Sequence, residues 1–171
     1  MLEVLKYILP GLLVLTAAWV ILHQMLKEER DRRDFELKKN TRKEVTTVRL
    51  RGYERLALLL ERTTPEHILR DIDLNGLTVR QLQILMLKTI RMEFDHNLSQ
   101  LIYVSDDTWE SILIVQEELG RFVSTVAQSF PAESPALPYA QQMITVYNTN
   151  GETPTDVALG KLRNEARALL I

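Results

Sequence analysis

Cysteine is missing altogether, and with it go disulfide frameworks, thiolate catalysis and Cys-based zinc sites. Glycine is scarce, at 6 in 171 residues, so a loop that cradles phosphate through backbone amides is hard to build. No GxxxxGK, GxGxxG, HExxH or GxSxG signature occurs. Aromatics make up 6%, and over residues 45–171 the basic side chains are spread singly, without the aromatic interleaving of a single-strand binder. The formal charge of -2 supplies no basic field for nucleic acid. What the chain does have is leucine, a residue that favours helix over sheet.

The longest apolar run is YILPGLLVLTAAWVILHQML, Tyr7 to Leu26, 20 residues without a formal charge. As a helix it covers about 30 Å, the hydrocarbon thickness of a bilayer. Pro10 and Gly11 fall in its first turns, where proline does least harm. The flanks and length favour a retained anchor over a cleaved signal peptide, because the run is long and no A-x-A site follows. Residues 27–44 then hold eight basic and six acidic side chains, against Lys6 and the free amine on the other side. The positive-inside rule therefore predicts an inner-membrane protein with its N-terminus outside and its C-terminal domain cytoplasmic.

The charged stretch reads as a stalk helix. Glu28 with Arg32, Glu29 with Arg33 and Asp34 with Lys38 stand four apart, acid first. Only Phe35 and Leu37 are apolar, so no heptad seam exists. Arg30, Arg32, Arg33, Lys38 and Lys39 are the candidate lipid-facing cations, although interleaved acids weaken a polybasic reading.

Beyond it the punctuation is that of short-looped helices. Thr64-Pro65-Glu66 reads as an N-cap with proline at the first helical position, and Asn75-Gly76 as the following stop. Thr78 with Gln81 has the spacing of a capping box, Ser105 precedes acids at 106, 107 and 110, and Thr153-Pro154 with Asp156 starts a last helix. Prolines at 131, 135 and 138 break the chain; the segment YAQQMITVYN, residues 139–148, suits helix or strand, and NTNG reads as a loop. The predicted fold is all-α: a transmembrane helix (1–26), a charged juxtamembrane stalk helix (27–44), and a small antiparallel helical bundle (45–171).

One constellation carries chemistry. EFDHNLSQLIYVS, residues 93–105, groups Glu93, His96, Asn97 and Gln100. Glu-x-x-His is the arrangement of di-iron bundles, which need two such motifs and two further carboxylates. Here there is one, and neither His23 nor His67 follows a glutamate at that spacing. Residues 93, 96, 97 and 100 extend the stripe of Leu82, Leu85, Met86 and Ile90, so the bundle reading makes them a structural polar layer or docking element that meets Arg55. The metal alternative uses Glu93, His96 and Glu54.

RLRGYERLALLLERTTPEHILR and IRMEFDHNLSQLIYVSDDTWESI resemble an uncharacterised family of single-pass inner-membrane proteins common in Bacteroidota. The resemblance covers roughly residues 1–118, and its YERL and ExxHNLSQ…YVS blocks are specific. It departs from the family pattern at Arg51-Gly52, usually Gln-Ala, and at Leu101, usually Gln. It implies an inner-membrane location and no activity.

No catalytic set is expected, and neither is a cofactor, a nucleic-acid partner or a small-molecule substrate. The function class is a membrane-anchored, non-catalytic scaffold or accessory subunit, with protein partners or self-association. The alternatives are a membrane-bound metal-binding protein or metalloenzyme on Glu93 and His96, and a lipid-surface sensor through the stalk.

Overall fold

The computed structural model describes residues 2–149 and 151–170, with side chains described from Gly11 onward. Lys6, Asn150 of the NTNG loop and the first residues of the Tyr7–Leu26 run therefore fall outside the described side chains. The described chain is all-α, with helices α1 (Leu2–Arg62), α2 (Pro65–Arg70), α3 (Val79–Asn97), α4 (Asp106–Ala127), α5 (Ala136–Thr149) and α6 (Pro154–Ala168). A 3-10 turn, Leu98–Tyr103, links α3 to α4. The chain divides into two compact units, one ending at Thr46 and one beginning at Thr47.

In the first unit the apolar side chains from Leu12 to Leu26 are exposed, and Trp19 stacks on His23 at 5.4 Å between ring centroids. Among the described residues no helix is long and apolar enough to cross a membrane. In the charged stretch the Glu29–Arg33 pair forms at 2.5 Å, as its spacing predicts. Arg32 instead turns forward to Glu36 at 3.2 Å, not back to Glu28, and no Asp34–Lys38 ion pair occurs among the described residues. Exposed pairs four apart are worth only a few tenths of a kcal/mol. An arginine with a glutamate on either side therefore has little to choose between them.

The second unit builds one core from the inner stripes of its helices. Tyr53, Leu56, Leu59 and Leu60 of α1 pack with Val79, Leu82, Met86, Ile90 and Phe94 of α3, and with Ile112, Val115, Leu119 and Val123 of α4. Tyr139, Ala140 and Met143 of α5 and Ala158 and Leu162 of α6 complete it. The segment open to helix or strand is thus helical. Its apolar residues at 136, 139, 140 and 143 form one face, and burial of that face outweighs the β-branched Ile144, Thr145 and Val146. Pro138 sits in the first turn of α5, where a missing N–H costs nothing. The Tyr139 hydroxyl donates to the Val123 carbonyl at 2.8 Å, and its burial pushes its pKa up to about 12.

Helix starts follow the sequence signals with one exception. Thr78 and Gln81 make both bonds of the capping box. The Thr108 N–H donates to the Ser105 hydroxyl. Thr153 and Asp156 form a second box. Thr64 makes no side-chain cap; its hydroxyl donates to the Glu61 carbonyl instead. The proline-rich loop has a structural role at α3. Val79 N–H donates to Ser134 O and Arg80 N–H to Ala132 O, while Gln81 N–H bonds to the Thr78 hydroxyl and Thr78 N–H to Gln81 Oε1. All four orphan donors of that helix end are therefore satisfied. Gly76, with φ +72, turns the chain into this start, a conformation that other residues adopt only with strain.

Gly52 marks the closest approach in the unit. A Cβ there would lie 2.7 Å from Cδ2 and 2.9 Å from Cβ of Tyr103. The second atom is close to the backbone and cannot swing away. Gly52→Ala is therefore expected to destabilise the domain by about 1–3 kcal/mol despite the gain in helix propensity. A denaturant midpoint equal to or above that of the parent would contradict this.

Candidate functional site

The residues singled out from the sequence are not joined into one layer. Asn97 and Gln100 are buried, Glu93 is half-buried, and Arg55, His96 and Glu54 are exposed. The Asn97 amide donates to the Glu93 carbonyl one turn back at 2.9 Å, and the Gln100 amide to the Ser99 hydroxyl at 3.1 Å. No hydrogen bond or ion pair among the described residues links Arg55 with Glu93 or His96. His67, the other histidine of this unit, contacts the Thr64 hydroxyl at 3.1 Å. Among the described residues no group of three or more His, Asp or Glu side chains is placed to hold a metal ion, so Glu93, His96 and Glu54 do not form a ligand set.

The long-range polar site lies elsewhere, around Glu165 of α6. Ser105 donates to it twice, from its N–H to Oε1 at 2.9 Å and from its hydroxyl to Oε2 at 2.9 Å. The Tyr53 hydroxyl donates to Oε1 at 3.2 Å. Arg49 donates to the Tyr53 oxygen at 2.9 Å and to the Tyr103 carbonyl at 3.2 Å, and stands 3.6 Å from Glu165 itself. The cluster therefore ties α1, the 3-10 turn, the start of α4 and α6 together.

Burial alone would raise the Glu165 pKa. The hydrogen bonds from Thr108, Ser105 and Tyr53 outweigh it and hold the carboxyl below its ordinary value. Tyr53 is shifted up, first by burial and then by the Glu165 charge, so it remains a donor. Since these donors and acceptors pair with one another, the cluster works as a fastening. The charged and titratable groups facing Glu165 are Arg49 and Tyr53 from α1; α4 and its cap offer only the hydroxyls of Thr108 and Ser105.

Of this cluster the Ser105 cap is marked by the local sequence pattern; Glu165 is not. A signal was present: Glu165 follows Ala158 and Leu162 on the inner stripe of α6, an acid where an apolar residue is expected.

Within EFDHNLSQLIYVS, Asn97 and Gln100 are pinned locally and Phe94 joins the core, whereas Leu98, Leu101 and Ile102 face outward. Ile102 is 70% exposed, Leu98 52% and Leu101 42%, and Met92 one turn upstream is 59% exposed. Tyr103, by contrast, lies against Gly52. A cleft of about 230 Å³ opens at the other end of α4, between Leu119, Phe122, Tyr147 and the start of α6 at Thr153–Thr155.

A model for a family of unknown function, DUF7935, matches residues 1–169. The chain belongs to this family. The match runs well past residue 118, where the resemblance read from sequence blocks stopped, and takes in α5 and α6. No curated protein and no solved structure matches the chain.

Because the folded-state pKa of Glu165 is depressed, its contribution to stability is present above the unfolded carboxylate range and is lost as pH falls through the folded value. Glu165→Ala is expected to cost about 1–3 kcal/mol at neutral pH, since it strips Tyr53 and Ser105 of their acceptor and Arg49 of its counter-charge. The cost should shrink as pH drops below the ordinary glutamate value of 4.5. Denaturant melts of both proteins across that range check this, and a pH-independent difference would contradict it.

Proposed function

We propose that this DUF7935 chain is a membrane-anchored interaction subunit whose docking element is the 3-10 turn at Leu98–Tyr103 and the adjoining end of α3. The observation that carries the reading is the exposed apolar set Leu98, Leu101 and Ile102 on the turn, with Met92 exposed on the adjoining end of α3, beside buried Asn97 and Gln100. Clustered exposed apolar side chains rimmed by polar ones mark interaction sites in soluble domains. Leu101 contributes where the resembling family usually carries glutamine, which gives this chain a more apolar docking turn.

The anchor is the run Tyr7–Leu26. Its support is the absence of any formal charge over those 20 residues, with exposed apolar side chains from Leu12 to Leu26. The basic flank at 27–44 supports a cytoplasmic position for the helical domain. Tethering of this kind raises the effective concentration of a docking surface for other membrane proteins, so a modest patch suffices for function.

The double variant Leu101→Asp/Ile102→Asp is expected to leave the melt within about 0.5 kcal/mol of the parent, since both residues are exposed. It should also lose the proteins that co-purify with the full chain after gentle detergent extraction. An unchanged set of stoichiometric partners would rule out this turn as the docking element.

A further inference from the structure

The helices of the second unit are unequally held. α4 buries Thr108, Ser111, Ile112, Val115, Leu119, Val123, Val126 and Ala127, whereas α6 buries only Thr155, Ala158 and Leu162. α6 packs chiefly against α4, and its contacts fix an antiparallel course: Thr153–Thr155 lie by Leu119 and Phe122, Lys161 reaches Asp107 at 2.7 Å, and Glu165 reaches Ser105. The N-terminal end is the looser one, with the 230 Å³ cleft beneath it and one cross-helix bond, from the Tyr147 hydroxyl to Thr155 at 3.1 Å. The Lys161–Asp107 pair is solvent-exposed and contributes little. The Thr153–Asp156 capping box closes α6 on itself and ties it to nothing else. By contrast, α3, α4, α5 and the proline loop interlock through the core, the α3 start and the Tyr139–Val123 bond without help from α6.

We propose that α6 is a strap that opens as a unit while α1, α3, α4 and α5 remain folded, and that the Glu165 carboxylate is its catch. Apart from Glu165, α6 is held by buried Thr155, Ala158 and Leu162 and by half-buried Leu159, Ala166 and Leu169, far less than the inner stripe of α4, so the release of Glu165 sets the opening frequency. Elements with few buried apolar contacts are those that open locally at free energies below global unfolding. Opening moves Ala158 and Leu162 off the stretch of α4 between Ser105 and Leu119, and bares an apolar strip beside the open Arg49–Tyr53 pair. The strip is distinct from the docking turn proposed above and does not depend on it.

Amide hydrogen exchange of the full chain in detergent, read by mass spectrometry at neutral pH, tests this, with Glu165→Gln as the variant. The expected result is exchange in α6 about 100-fold faster than in the slowest amides of α4. The variant should raise exchange further in α6 and leave α3 and α5 unchanged. Equal protection of α6 and α4 in the parent overturns the proposal. So does a variant that speeds exchange in every helix alike or fails to fold, because the catch would then be inseparable from the fold.

Discussion

Glu165 is a carboxylate on the inner stripe of a helix, and its position imposes conditions on three other elements. A charge taken partly out of water is tolerated only where donors surround it. Here Ser105 supplies two, Tyr53 one, and Arg49 a balancing charge. Arg49 is itself held by the Tyr103 carbonyl, which requires the 3-10 turn to lie against α1. That approach is closest at Gly52, where an added Cβ would meet the Tyr103 side chain. The 3-10 turn that displays Leu98, Leu101 and Ile102 thus shares Arg49 with the Glu165 cluster.

Backbone accounting explains the remainder of the domain. The proline-rich stretch after α4 is the partner of the α3 start, where Ser134 and Ala132 accept the two N–H groups that the Thr78 cap leaves unmet. Buried hydroxyls are settled locally in the same way: Thr63 donates to Leu59 and Leu60, and Ser111 to Thr108. No described buried side-chain nitrogen or oxygen is left without a partner.

Features governed by near neighbours were legible in the sequence. The caps at Thr78, Ser105 and Thr153 follow from three-residue spacings, and the all-α class from apolar stripes at helical period. The expected polar layer shows where such reading stops. On α3 the buried stripe runs 79, 82, 86, 90, 94 and 97, so Phe94 continues it. Glu93 then falls on its edge and His96 outside it. A drift of one position along the helix separates a core residue from a surface one. The Glu165 fastening joins residues 60 and 112 apart, and no local pattern encodes that. Asp34 and Lys38 illustrate a different limit: a favourable spacing of exposed charges does not compel a pair.

The measurement that bears most directly on this account is a double-mutant cycle between Tyr53→Phe and Glu165→Gln, read from denaturant unfolding of the full chain at neutral pH. If Glu165 joins α1 to α6 as described, the two changes are coupled, and the double variant loses about 1 kcal/mol less than the sum of the singles. Strict additivity would mean that the two side chains do not share an interaction in the folded protein. The description of Glu165 as the fastening between α1 and α6 would then fall with it.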